Sequence, residues 1–204
     1  MLISLACTRV TGGDTDSVYF TLQEDYKMVE TFQIGEDICT AINAKYGYPI
    51  ILEMEKVYSP MIYLAKKCYA AMMYESPTDT GKLDVKGIAV ARGDTSKFTR
   101  NLQLSVINTI MNGGQWGDVK AIVTRAIDDV KTKDRSELVK TTKLGSSYKN
   151  PSGQISVQVR DRMVERGQEG PVPGDRVPYL VGRGTKRQKI ADRVDHPDYV
   201  KDID

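Results

Sequence analysis

Apolar and polar positions alternate with a period of two in several short runs along the first half of the chain. Between two of those runs the period lengthens to that of a helix. Thr8–Thr11 and Ser17–Leu22 read as strands around a tight turn at Gly12-Gly13-Asp14-Thr15. From about Tyr26 to Lys45, Val29, Phe32, Ile38, Ala41 and Ile42 recur at helical spacing, and Gly47 closes the helix. Pro49–Val57, Met61–Ala65, Lys67–Tyr74 and Asp84–Ala91 read as further strands, with a loop at residues 76–81. Met72, Met73 and Tyr74 read as core filler. After Gly93 the period changes. Thr95 or Ser96 caps a helix carrying Phe98, Leu102, Val106, Ile107 and Ile110, and Asn112-Gly113-Gly114 ends it. Asp118 caps a second helix, and a third covers Ile155–Glu165. The remainder, rich in Gly, Pro and charge, reads as loop. The chain thus divides near residue 93 into an α+β half and a helical, basic half.

Composition excludes several classes. With 204 residues, 40% hydrophobic and 27% charged, the chain has enough apolar content for a core. No apolar run reaches the ~20 residues of a membrane helix, and the opening MLISLACTRV does not read as a leader. Cys7, Cys39 and Cys68 are widely spaced, which fits reduced thiols in an intracellular protein. A single histidine, His196, leaves no His-based triad or metal site.

The net charge of +2 hides an asymmetry. Residues 1–82 carry 7 basic and 11 acidic side chains, whereas residues 131–193 carry 15 and 7. An acidic segment beside a basic one suits metal ions at one end and a polyanion at the other; a solvated surface of mixed charge is the plain alternative.

The sharpest local signal is Gly13-Asp14-Thr15-Asp16-Ser17. Asp14 and Asp16 put two hard oxygen donors near a hairpin tip, the kind of donor Mg²⁺ takes together with substrate phosphates. A calcium loop starting at Asp14 is excluded, because Tyr19 stands at its glycine position and Asp25 at its glutamate position. A polar turn without function, and a sugar-nucleotide transferase using Asp-x-Asp, both survive on these residues alone.

Collinear segments along the chain add a resemblance. Residues 8–18, Thr-Arg-Val-Thr-Gly-Gly-Asp-Thr-Asp-Ser-Val, resemble the motif C hairpin of family B DNA polymerases, usually Tyr-Gly-Asp-Thr-Asp-Ser. Leu52–Tyr58 and Lys66-Lys67-Cys68-Tyr69-Ala70 resemble the strands carrying the family's Lys-Lys-Arg-Tyr motif. Lys86-Gly87-Ile88 with Arg92-Gly93-Asp94 resembles Lys-Gly-Ile followed by Arg-Arg-Asp. Tyr148-Lys149-Asn150, Val157–Val159 with Arg162-Met163, and Gly174–Tyr179 resemble thumb segments of delta-like and large-virus members. A sugar-nucleotide transferase accounts for none of the later segments.

The resemblance implies an α+β fold, with a partial polymerase palm of antiparallel strands plus a helix over residues 1–93. A mainly helical thumb, incomplete at its C-terminus, follows over residues 94–204. It implies a two-metal Mg²⁺ site to which Asp16 contributes as principal ligand and Asp14 as the peripheral one, with Thr15 shaping the turn. Lys66, Lys67 and Tyr69 would hold the primer–template end, and Lys140, Lys143, Lys149, Arg162 and Arg176 would face duplex DNA. Partners would be primer–template DNA, a deoxynucleoside triphosphate and the remainder of the polymerase, in the nucleus or at a viral replication site and not in a membrane. Gly12, Cys68 and Gly93 depart from the family's Tyr, Arg and Arg. The family's Asp-x-x-Ser-Leu-Tyr-Pro-Ser and Lys-x-x-x-Asn-Ser-x-Tyr-Gly stretches are not in this sequence. The expectation is therefore a C-terminal palm–thumb portion that does not complete the metal site alone. The other class is a non-catalytic DNA-binding module or inactive remnant.

Overall fold

A computed structural model of the chain describes residues 7–202. The opening stretch read above as no leader lies largely outside them. The chain forms two compact units, Met1–Ile88 and Ala89–Asp204.

The first unit opens with β1 (Cys7–Asp14) and β2 (Ser17–Leu22), an antiparallel pair in which Asp14 faces Ser17 across a two-residue turn. Helix α1 (Met28–Tyr46) buries Phe32, Gly35, Ile38 and Cys39; of the expected stripe, Ala41 and Ile42 are half-buried and Val29 is exposed. Gly47, at φ 64°, ends it and donates its N–H to the Asn43 carbonyl at 2.8 Å. The three-stranded antiparallel sheet is ordered β3 (Val57–Ala65), β4 (Cys68–Tyr74), β5 (Lys82–Lys86). Tyr69, Ala70 and Ala71 of its central strand are buried, while Met72, Met73 and Tyr74 are half-buried.

Two strand expectations are corrected here. Residues 49–56 form no strand, and Asn43 of α1 takes the Leu52 backbone. Asn43 donates its side-chain amide to the Leu52 carbonyl at 2.8 Å and accepts the Leu52 N–H at 2.7 Å. Met54 packs where a Cβ on Gly35 would stand, and Ile50 and Ile51 are left exposed. The strand expected over 84–91 ends at Lys86. Gly87 turns to φ 66°, and a 3₁₀ turn at Ala89–Ala91 follows.

The second unit starts with α2 (Lys97–Met111), capped by Ser96, whose hydroxyl oxygen accepts the Thr99 N–H at 3.3 Å. Helix α3 (Trp116–Asp129) is capped at Gln115, not at Asp118. The Asp118 carboxylate instead reaches back to the Gln115 N–H at 2.8 Å, the acidic half of a capping box. After α4 (Arg135–Leu138) the chain builds a sheet the helical reading of this half did not contain. Its order is β6 (Lys140–Lys143), β7 (Arg176–Val181), β8 (Val194–Asp195). This sheet and α5 (Ile155–Glu165) enclose the core of Leu144, Val157, Val159, Val177, Tyr179 and Val194. Pro178 is tolerated in the middle strand because β8 pairs only with Leu180 and Val181, which leaves that side of Pro178 an edge.

Helix α5 also fastens the C-terminal segment, where α6 (Ile190–Arg193) precedes β8. Arg162 donates to the carbonyls of Val194 and of Asp192, the latter at 2.8 Å. Arg166 grips both carboxylate oxygens of Asp195 and lies 4.2 Å from the Tyr199 ring centre. Burial alone would push the Asp195 carboxyl up. The Arg166 hydrogen bonds and the His196 N–H outweigh it and hold the group below its usual range. A carboxyl lowered in this way stabilises the fold above its unfolded value, about pH 4, and the contribution fades as pH falls through the folded value. Asp195→Asn should therefore lower stability by about 1.5–3 kcal/mol at pH 7. In urea denaturation the gap between the two proteins should narrow toward pH 3; a gap independent of pH would show that the charge is not what holds the segment.

Candidate functional site

The first unit brings two hairpin tips together. At the β1–β2 tip, Thr15 takes φ 60°, a conformation that costs a β-branched residue about 1–2 kcal/mol. The turn is held by the Asp16 N–H and the Ser17 hydroxyl, which donate to the Asp14 carbonyl at 2.8 and 3.1 Å. At the β3–β4 tip, Lys66 and Lys67 form the turn between Ala65 and Cys68, with Lys67 also at φ 60°. The Asp14 carboxylate lies 3.8 Å from the Lys66 ammonium and 3.6 Å from that of Lys67, and it accepts the Thr15 hydroxyl at 3.2 Å. Asp16 is exposed at the turn.

Between the tips lies a cavity of about 420 Å³, walled by Asp14, Lys66, Lys67, Tyr63, Tyr69 and Lys86, with Tyr19 and the backbone of Gly13 and Gly87. Three ammonium groups face one carboxylate there, so it suits an anionic ligand. Tyr63, Tyr69 and Lys86 form one row across the sheet, since Tyr63 opposes Tyr69 and Tyr69 opposes Lys86. Tyr69 is 7% exposed. Gly12 leaves room beside the Tyr63 hydroxyl, 3.1 Å from where a Cβ would stand.

Behind the wall, Asp84 accepts hydrogen bonds from the hydroxyls of Tyr58 at 2.9 Å and Tyr69 at 3.1 Å, and lies 3.3 Å from the Lys86 ammonium. Burial, followed by the bonds to Tyr69 and Asp84, pushes the Tyr58 phenol far above its usual range. Burial also raises the Tyr69 phenol, with the Asp84 charge adding to it and the Tyr58 hydrogen bond opposing. Burial works against the Asp84 carboxylate, but the two phenols and Lys86 outweigh it and keep the group below its usual range. Sequence reasoning had not assigned Lys86, Asp84 or Tyr58 to the site. The two-residue spacing of Asp84 and Lys86 on β5, which puts both on one face, is the signal that was there to read.

Asp14 and Asp16 are hard oxygen donors on one turn. Their chemistry fits Mg²⁺ only as a partial donor set. Among the described residues no group of three or more His, Cys, Asp or Glu side chains is placed to hold a metal. Of the described thiols, Cys39 is buried and its pKa is raised by that burial, and Cys68 is half-buried and unpaired.

In the second unit, Lys143 and Arg176 stand directly opposite each other on β6 and β7, both exposed. Like charges so placed repel and destabilise a strand pair unless an anion lies between them. The Arg176 guanidinium lies 3.1 Å from where a Cβ on Gly93 would stand, and Thr141, on the same face as Lys143, donates its hydroxyl to the Gly93 carbonyl at 2.8 Å. Lys149 is exposed in the following loop. Arg162 is committed to the carbonyls described above. Lys140 opposes Tyr179 and, with the forked Arg92 at 2.7 and 3.1 Å, helps hold the Asp94 carboxyl low.

The fold and these tips belong to a recognisable class. A family model described as DNA polymerase family B matches residues 5–204, and the chain belongs to that family. It is 32% identical over 193 residues to the DNA polymerase delta catalytic subunit of Glycine max, covering 92% of this chain and 18% of that one. It is 31% identical over 208 residues to the DNA polymerase of Paramecium bursaria Chlorella virus NY2A, covering 97% and 22%. The chain thus spans about a fifth of the length of the curated relatives it matches. The family B DNA polymerase structure from the archaeon Pyrobaculum calidifontis matches 96% of this chain and 24% of its own, with a TM-score of 0.60 at 20% identity, a likeness of fold. No helix among the described residues is long and apolar enough to cross a membrane.

Proposed function

We propose that this chain is the C-terminal palm–thumb portion of a DNA-directed DNA polymerase. In this reading the first unit is the end of the palm and the second the thumb. Asp16 and Asp14 contribute to a two-metal Mg²⁺ site, and the rest of the polymerase supplies the other ligands and the nucleotide pocket. Bound there, Mg²⁺ would favour the primer 3′-oxygen as nucleophile and balance charge on the deoxynucleoside triphosphate.

The chain's own residues grip and orient DNA. Lys66 and Lys67 present exposed ammonium groups to the primer–template end, with Tyr69 as the wall behind them, and such groups contact backbone without reading sequence. Lys143 and Arg176, with Lys149 in the loop after Lys143, do the same along the duplex from the second unit. Arg162 instead spends its guanidinium on the carbonyls of Asp192 and Val194. Delta-type and viral relatives point to work in the nucleus or at a viral replication site.

The observation that carries this reading is the meeting of the two tips, which puts Asp14 within 4 Å of both motif lysines in a chain of this family. The test has two stages. The purified chain should bind primer–template duplex with log affinity falling linearly in log salt, at a slope of roughly −0.9 per phosphate contacted. Mixed with a chain carrying the remainder of a family B polymerase, it should support primer extension. Salt-dependent binding without extension in any mixture would select the non-catalytic module; the Gly12, Cys68 and Gly93 departures fit a divergent enzyme as well as an inactive remnant. No duplex binding would sink both readings.

A further inference from the structure

Asp84 has no part in the reading so far, although its geometry bears directly on the cavity. A phenol has one proton. Tyr69 directs its proton to Asp84 at 3.1 Å or to the Tyr58 hydroxyl at 3.2 Å, and Tyr58 in turn reaches the same carboxylate oxygen at 2.9 Å. A hydrogen bond to a carboxylate is about twice as strong as one to a neutral acceptor. Toward the cavity, therefore, Tyr69 shows lone pairs only. Lys86 differs: its ammonium carries three N–H groups, Asp84 engages it at 3.3 Å, and its side chain stays 61% exposed. Lys86 stands opposite Tyr69 in the β4–β5 ladder, so it projects on the same face.

We propose that Lys86 is the cavity's third phosphate-contacting cation beside Lys66 and Lys67, that Asp84 tethers it and tempers its grip, and that Tyr69 is a wall and not a donor. The ligand class is the phosphodiester backbone of DNA, so the inference rests on the DNA reading above. A tempered grip suits a protein that must hold a duplex and also let it move.

The test measures binding of a fluorescein-labelled primer–template duplex to the whole chain by anisotropy across 50–200 mM KCl. Lys86→Gln should weaken binding about eightfold at 0.1 M salt and flatten the salt slope by about 0.9, one phosphate's share. Tyr69→Phe, which removes a hydroxyl already directed at Asp84, should weaken binding less than Lys86→Gln does and leave the salt slope as it is. Asp84→Asn keeps an oxygen for the phenols and removes the charge from Lys86. It should tighten binding two- to threefold, and that gain should vanish in the Lys86→Gln background. A merely structural Asp84 would give the opposite sign, with weaker binding on substitution. The inference is overturned if Lys86→Gln is silent, if its loss leaves the slope unchanged, if Tyr69→Phe weakens binding as much, or if Asp84→Asn weakens it while near-ultraviolet circular dichroism stays native. Failure of the unsubstituted chain to bind duplex would instead remove the DNA reading itself.

Discussion

Asp16→Ala should lower primer extension by about a thousandfold or more, about 4 kcal/mol, in the mixture of this chain with the remainder of a polymerase. Duplex affinity should stay at the unsubstituted value or rise slightly. The sequence of effects starts at the turn. Gly13 fits because it lacks the Cβ that would stand 2.7 Å from the Ser17 carbonyl oxygen, and Thr15 bends to φ 60°. Asp16 is thereby left exposed at the tip. Removing a carboxylate there takes a hard donor from the site and one negative charge from the approach of DNA. Asp14→Ala should behave differently. It frees Lys66 and Lys67 from their shared partner, so duplex binding should tighten, and the loss of extension should be smaller. Single-turnover extension and anisotropy together separate the two. An Asp16→Ala mixture within tenfold of the unsubstituted rate would exclude Asp16 from the metal site.

What could be read from the sequence was local. The Asp-Thr-Asp hairpin, helix α1 with Gly47 after it, the Ser96 cap and the span of α5 all follow from short-range spacing, and the structure has each of them. The charge pair between the tips did not follow, because Asp14 and Lys67 are brought together only by packing of two separate sheets. The tyrosine–Asp84 cluster was hidden for a similar reason. Tyr58, Tyr69 and Asp84 sit on three different strands, and each alone reads as an ordinary strand residue. The segment after α1 misled because its apolar Ile50-Ile51-Leu52 run suits a strand, while the deciding partner, the Asn43 amide, lies on the helix before it. The sheet of the second unit carries little periodic signal. Its β6 is Lys-Thr-Thr-Lys, its β8 has two residues, and β7 contains a proline.

Gly87→Ala should be the most damaging single-methyl change in the first unit, at more than about 3 kcal/mol of stability. Two penalties combine. Gly87 sits at φ 66°, where an L side chain adds about 1–2 kcal/mol. A Cβ there would also stand 2.0 Å from the Lys67 carbonyl oxygen and 3.1 Å from the Cys68 Cα, both backbone atoms that no rotamer change can move aside. Relief requires the β3–β4 turn to shift, and that turn carries Lys66 and Lys67 to Asp14 and the cavity. Duplex affinity should therefore fall along with stability. Gly113→Ala provides the comparison, since Gly113 has φ 79° with no atom within 4 Å of a Cβ. It bears the backbone penalty alone, about 1 kcal/mol, and should leave DNA binding untouched. Urea denaturation of both variants, with anisotropy at one salt concentration, reads the difference. If Gly87→Ala were no worse than Gly113→Ala, the close approach of Gly87 to the Lys67 carbonyl would not be what holds the lysine tip in place.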